Sequence, residues 1–212
     1  GPAAAAFYGD PSSKLLSVGV TGTNGKTTSA FLLAHLLDRA NLRAGLLGTI
    51  ERRVGGEPSP ADRTTPEALD VQHDLAAMVA AGDHAVVMEV SSHALDLQRV
   101  LGVDFRVVGF TNLTQDHLDY HETLDAYFLA KRRLFVDPAY TGGQQAAVIN
   151  VDDAHGRALA AEIPLSRLLT CSCAVAGSGD VPADLSLRDY VVDAGGTHGM
   201  LVVRGRALQR LR

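Results

Sequence analysis

The chain has 212 residues, 46% of them hydrophobic and 20% charged, with 24 acidic against 19 basic side chains and a formal charge of −5. That length supports a sizeable core, the acidic balance argues against a nucleic-acid-binding surface, and no apolar run is long enough for a membrane span. Cys171 and Cys173, spaced C-x-C with no second pair, make neither a disulfide framework nor a zinc site. They read as ordinary thiols of a reducing cytoplasm. No signal peptide is visible, and the Gly1-Pro2 start, without methionine, reads as a protease scar.

Ala3–Tyr8 reads as the end of a helix, closed by the turn residues Gly9-Asp10-Pro11-Ser12. Leu15–Val20 is apolar enough for a strand covered on both faces. Lys26–Ala40 carries Ala30, Leu33, Ala34 and Leu37 at helical spacing, so this helix should pack on the sheet. Between strand and helix lies Thr21-Gly22-Thr23-Asn24-Gly25-Lys26-Thr27-Thr28. Glycines at 22 and 25 let the backbone curl so that its N–H groups face an anion. The helix start adds the positive end of its dipole, Lys26 can reach terminal phosphates, and Thr27 offers a hydroxyl to magnesium. The strict pattern G-x-x-x-x-G-K-[ST] has glycine where this chain has Val20, which leaves a plain glycine-rich turn as the alternative. The strand–loop–helix setting favours an ATP site.

Arg43–Ile50 reads as a second strand, and Gly55-Gly56 with Pro58 and Pro60 as a surface loop. Arg63-Thr64-Thr65-Pro66-Glu67 opens a helix running to about Ala81; its two hydroxyls suit a helix cap, the favoured reading, or an anion contact. Ala85–Val90 is a third strand, ending in Glu89-Val90-Ser91-Ser92-His93. A carboxylate at the end of a buried strand needs a partner, and strand carboxyl ends line the ligand crevice of α/β sheets. Magnesium suits Glu89; a cap on the next helix is the alternative. Arg106–Asn112 is a fourth strand, leading to His117 between Asp116 and Asp119. That placement favours a ligand over a surface group.

The helix Thr123–Phe135 has an apolar stripe of Leu124, Tyr127, Phe128, Leu134 and Phe135, and Lys131 falls in its middle. Either the lysine snorkels to water, or burial lowers its pKa toward neutrality. A neutral buried amine can take up carbon dioxide as a carbamate, which turns a cation into a metal-binding carboxylate. Ala146–Asn150 is a fifth strand, and Asp152-Asp153 caps a helix over Ala154–Glu162. Leu185–Val192 and Met200–Val203 suggest a small antiparallel pair around Gly195-Gly196, followed by a basic segment, Arg204–Arg212, with four arginines. The architecture expected is α/β: a mostly parallel sheet flanked by helices over residues 3–203, a small irregular β element near its end, and a basic tail over 204–212.

Five stretches in order carry a resemblance: the loop Thr21–Thr28, Thr64–Ala68, Met88–Leu95, Asn112–Asp119 and Tyr127–Lys131. Together they are similar to the central, P-loop-like ATPase domain of the Mur ligases, whose loop is shorter than the strict pattern. Within that family they resemble the MurE type, which adds the third amino acid to UDP-N-acetylmuramoyl-L-alanyl-D-glutamate in peptidoglycan synthesis. The resemblance runs from about Ala3 to Asp153 and thins beyond residue 165.

It implies that Gly22, Thr23, Asn24, Gly25, Lys26, Thr27 and Thr28 hold ATP, and that Thr27 and Glu89 hold one Mg2+. It further implies that His117 and carbamylated Lys131 hold a second, and that Thr64, Thr65, Ser91 and Arg99 contact the muramoyl dipeptide. Lys26, Glu89, His117 and Lys131 are the catalytic residues so implied. The expected chemistry is phosphoryl transfer from ATP to the D-glutamate carboxylate, then attack by the incoming amine, in the cytoplasm and without nucleic acid or membrane. Leu97 stands where some relatives have glutamine. The family's amino-terminal uridine-binding and carboxy-terminal domains are not part of this chain, so the isolated piece is expected to be weakly active or inactive. Other amide ligases of the superfamily, of the cyanophycin or folylpolyglutamate synthetase type, and a non-catalytic nucleotide-binding module are the alternatives.

Overall fold

A computed structural model describes residues 1–116, 118–141, 144–173, 182–193 and 196–211. The helices are α1 Pro2–Phe7, α2 Lys26–Arg39, α3 Ala68–Ala81, α4 Ser92–Asp96, α5 Leu118–His121, α6 Leu124–Val136, α7 Pro138–Thr141 and α8 Ala154–Glu162. The strands are β1 Leu16–Thr21, β2 Ala44–Leu47, β3 Glu51–Val54, β4 Glu57–Pro60, β5 Ala85–Glu89, β6 Val107–Phe110, β7 Ala146–Asn150, β8 Leu168–Ser172, β9 Leu185–Asp193, β10 Gly196–Val203 and β11 Arg206–Leu211.

Among the described residues the strands form one sheet in the order β11-β10-β9-β8-β7-β6-β1-β5-β2-β3-β4. The run from β2 through β5, β1, β6, β7 and β8 to β9 is parallel, and antiparallel pairs extend it at both ends. Val20 is level with Glu89 on one side of β1, and Thr21 with Phe110 on the other. The loop after β1 therefore emerges between the ends of β5 and β6, the position of the ligand crevice in parallel sheets.

Alternation along the strands sorts the core into two layers. Val18 and Val20 join Leu46, Ala85 and Val87 under the small side chains Ala30 and Ala34 of α2, with Leu33 and Leu37 packed at the edge. The opposite face carries the larger cluster, including Leu75 and Met78 of α3, Tyr127, Leu134 and Phe135 of α6, and Leu159 of α8. Full burial of each such aliphatic side chain contributes about 1.5–3 kcal/mol. The α/β class and mostly parallel sheet agree with the sequence reading.

Several local expectations need correction. The stretch with Gly55-Gly56, Pro58 and Pro60 is not merely a surface loop: with Glu51–Val54 it forms the hairpin β3–β4, closed by Gly55 and Gly56 at φ 62° and 88°. Pro58 and Pro60 disguise it, and both are tolerated because β4 is the sheet's edge. The second strand stops at Leu47, where Gly48 N bonds Glu51 O at 3.1 Å and reverses the chain. Thr64 and Thr65 do not cap α3, whose N-cap position is Glu67. Glu89 does not cap α4, because Ser91 does, accepting from Ala94 N. β8 is a strand the sequence reading passed over. The basic segment read as a tail forms, over Arg206–Leu211, the strand β11 antiparallel to β10. Asp153 caps α8 as expected; Gly195 lies outside the described residues.

Candidate functional site

The loop between β1 and α2 is held in shape by the segment after β6. Thr23 N donates to Asn112 O at 2.9 Å, and Asn24 N to Asn112 Oδ1 at 3.0 Å. Thr23 Oγ1 accepts from Thr114 N at 3.0 Å and donates to Thr114 O at 3.2 Å. Asn24 O accepts from Thr111 Oγ1 at 2.7 Å and from Asn112 Nδ2 at 3.1 Å. Gly22 and Gly25 have φ 144° and 83°, backbone that favours glycine. At Gly22 a Cβ would also lie 1.9 Å from Thr111 Oγ1.

With Gly25 as N-cap, α2 has no side-chain cap. The amides of Gly25, Lys26, Thr27 and Thr28 bond no protein acceptor among the described residues. Such a turn, at the positive end of a helix dipole, is an anion seat. Lys26 Nζ folds back on the loop, donating to Gly22 O at 3.0 Å and Thr23 O at 2.7 Å. Burial lowers its pKa, with Glu89 and Asp116 acting in the other direction.

Glu89, fully buried at the end of β5, meets this turn from the side. Its carboxylate accepts from Thr27 Oγ1 at 2.8 Å, Thr49 N at 2.8 Å and Thr49 Oγ1 at 3.1 Å. Gly48 lets the two segments meet: a Cβ there would lie 2.5 Å from Glu89 Oε1. Among the described residues no cationic side chain pairs with Glu89 within 4.0 Å. A buried carboxylate among hydroxyls, beside an anion seat, fits magnesium, a hard cation that binds through one or two carboxylates and substrate phosphates. No group of three His, Cys, Asp or Glu converges as a metal cage among the described residues.

Lys131 does not snorkel. It is 1% exposed, donates to Gly22 O at 2.8 Å, and its Nζ stands 4.4 Å from the centre of the Tyr127 ring. Burial, reinforced by the charge of Lys26 and opposed by Asp116, lowers its pKa to about 7. His117 lies outside the described residues. Its neighbour Asp116 acts electrostatically on Lys26, Lys131 and Tyr127, so this segment borders the loop.

A cleft of about 260 Å³ joins these groups, lined by Thr23–Thr28, Thr49, Thr64, Glu89, Ser91, Ser92 and Lys131. Thr64 and Ser91 thus face it. Thr65 and Arg99 stand behind: Thr65 Oγ1 donates to Glu89 O at 2.8 Å, and Arg99 bonds Thr65 O at 3.2 Å and Glu67 at 2.8 Å. On the α2 face, a mostly apolar groove of about 490 Å³ runs from Asn24 and Gly25 past Leu33 and Leu36 to Phe110, Val148 and Asn150. Sequence reasoning missed Thr49, Asn112 and Thr114, which act through contacts distant in the chain. It also missed the second role of Tyr127, though the spacing of 127 and 131, one helical turn, carries that signal.

A model of the Mur ligase middle domain matches residues 20–208. The UDP-N-acetylmuramoyl-L-alanyl-D-glutamate–2,6-diaminopimelate ligase of Synechococcus elongatus is 53% identical over 180 residues, covering 85% of this chain and 35% of that protein. The ligase of the same name from Geobacter metallireducens is 50% identical over 163 residues, covering 76% and 32%. A solved structure of a ligase of that name superposes with TM-score 0.78 at 32% identity, covering 93% of this chain and 39% of that one. A MurF structure from Acinetobacter baumannii, at TM-score 0.66 and 20% identity, shares the fold. The chain spans about a third of the length of these curated relatives.

Proposed function

The chain belongs to the Mur ligase family as its middle domain, and on that premise we propose that it is the ATP-using core of a MurE-type ligase. The reaction is addition of 2,6-diaminopimelate to UDP-N-acetylmuramoyl-L-alanyl-D-glutamate in peptidoglycan synthesis, as the relatives' names suggest. Its place is the cytoplasm; among the described residues no helix is long and apolar enough to cross a membrane. The observation that carries the reading is the Thr27–Glu89 pair at 2.8 Å, set against four amides at the start of α2 that bond no protein acceptor among the described residues.

The amides of Gly25–Thr28 and the Lys26 ammonium hold the ATP phosphates, and the apolar groove beside Gly25 receives the base. Thr27 and Glu89 hold Mg2+, which when bound neutralises charge gathering on the phosphoryl oxygens. Lys131 as a carbamate, with His117, holds a second. Thr64 and Ser91 orient the D-glutamate carboxylate, with Thr65 and Arg99 supporting them. A carboxylate oxygen bonds the γ-phosphorus and ADP leaves. The diaminopimelate amine then bonds the acyl carbon, loses a proton, and displaces phosphate. Positioning and charge neutralisation dominate such chemistry.

The direct test is phosphate release with UDP-muramoyl dipeptide, with and without diaminopimelate, in a protein carrying this chain and the segments its relatives have around it. Release that needs both substrates supports the reading. Nucleotide binding without release identifies a binding module, and release with a different acid substrate identifies another amide ligase. The carbamate has its own test in the same protein. Lys131→Ala should lose activity and regain part of it with acetate or formate, whereas Lys131→Arg should not be rescued. A well-folded alanine variant that carboxylates fail to rescue near neutral pH removes Lys131 from that role.

A further inference from the structure

Asn112 is assigned no contact with nucleotide, metal or substrate above, yet its side chain and main chain make three bonds to the loop. Its Oδ1 accepts from Asn24 N at 3.0 Å, its Nδ2 donates to Asn24 O at 3.1 Å, and its carbonyl accepts from Thr23 N at 2.9 Å. The carboxamide grips both polar groups of one residue, as a neighbouring strand would. Each amide atom meets a partner of the right polarity, which fixes the orientation of the side chain.

We infer that Asn112 is the positioning residue of the loop, a side-chain clasp that pre-forms the anion seat; this rests on the phosphate-binding reading of the site. The residues between Gly22 and Gly25 have no helix or strand to order them, and both glycines leave the backbone free to take other conformations. The clasp supplies the missing order. It also takes the amides of Thr23 and Asn24 out of ligand binding, so the anion seat is confined to the amides of residues 25–28. Because these amides bond no protein acceptor among the described residues, an arriving anion meets donors that need not break another bond first. Glu89 and Thr27 stand on the other side of the loop, so the clasp also sets where the hydroxyl of Thr27 faces that carboxylate.

Residue-resolved hydrogen exchange on the ligand-free chain separates this role from simple support of the fold. In Asn112→Ala the Asn24 amide should exchange about tenfold faster, the loss of a hydrogen bond of ordinary strength, while Val18 and Val87 in the sheet keep their protection. Asn112→Asp keeps an acceptor for Asn24 N but turns the donor into a second oxygen, so Asn24 N should stay protected. An unchanged Asn24 amide in the alanine variant, or equal loss of protection in both variants, overturns the inference. Titration with Mg–ADP is a separate arm: Asn112→Ala should bind about tenfold more weakly than wild type, and equal affinity also overturns it. If the wild-type protein, carrying this chain and the segments its relatives have around it, takes up no nucleotide, the phosphate-binding reading fails, and the exchange result still decides whether Asn112 orders the loop.

Discussion

Lys131 Nζ and Lys26 Nζ donate to the same oxygen, the carbonyl of Gly22, at 2.8 and 3.0 Å. Two ammonium groups on one carbonyl repel each other, and the more buried one gives way. Lys131 is that group, which is why the charge of Lys26 adds to burial in bringing its pKa to about 7. The arrangement joins α6 to the loop after β1 and leaves a substantial neutral population of the Lys131 amine near physiological pH.

The lowered pKa has a signature in stability. The folded value, about 7, lies below the usual 10.5, so the folded state releases this proton more readily than the unfolded chain does. Below about pH 7 both states are protonated and the whole penalty of burying the charge is felt. Between the two values the folded state is neutral and stability rises with pH; above about 10.5 the difference is spent. Lys131→Met should therefore be more stable than wild type at about pH 6, by a few kcal/mol at most, with the gap closing by about pH 10. Urea unfolding in carbon-dioxide-free buffer checks this, and parallel pH profiles for the two proteins would refute it.

Lys26→Ala removes two hydrogen bonds from a half-buried ammonium to the loop's own carbonyls. Those bonds are local, so unfolding stability should fall by only about 1 kcal/mol. Mg–ATP affinity should fall by at least about a hundredfold, since a charge-assisted phosphate contact is lost along with a fixed cation. Calorimetric titration beside a thermal melt separates the two effects. A melting temperature that collapses together with binding would show the lysine to be structural.

Gly48→Ala tests the magnesium assignment without replacing a proposed ligand. The added methyl would meet Glu89 Oε1 at 2.5 Å and displace the carboxylate from Thr49. Magnesium-dependent nucleotide binding should weaken by about tenfold, and magnesium-free binding should change little. Glu89→Gln should act in the same direction and more strongly, because the amide keeps the shape but loses the charge. Equal effects with and without magnesium would leave Glu89 as a purely structural partner of Thr27 and Thr49.

What the sequence revealed divides along physical lines. The loop, the buried Glu89 and the inward Lys131 were legible because each rests on local pattern: glycine spacing, a carboxylate ending an apolar strand, a lysine inside a helical stripe. Thr49 and Asn112 were not, since neither belongs to a periodic pattern. Their partners Glu89 and Asn24 lie 40 and 88 positions away. The hairpin β3–β4 was hidden because Pro58 and Pro60 read as loop, and only an edge position makes them acceptable in a strand. β11 was hidden because Arg206 and Arg210 outweigh its weak alternation, and it exists by pairing with β10.

The placement of β1 has a consequence for how the molecule is made. Both of its neighbours come from far along the chain: Leu16 pairs with Ala85, and Val18 with Val107. The bonds that hold Thr23 and Asn24 come from residues 111–114, so they cannot form until about residue 114 has been synthesised and the intervening loops have closed. Closure over such separations is slow, so the anion seat is translated well before the partners that shape it.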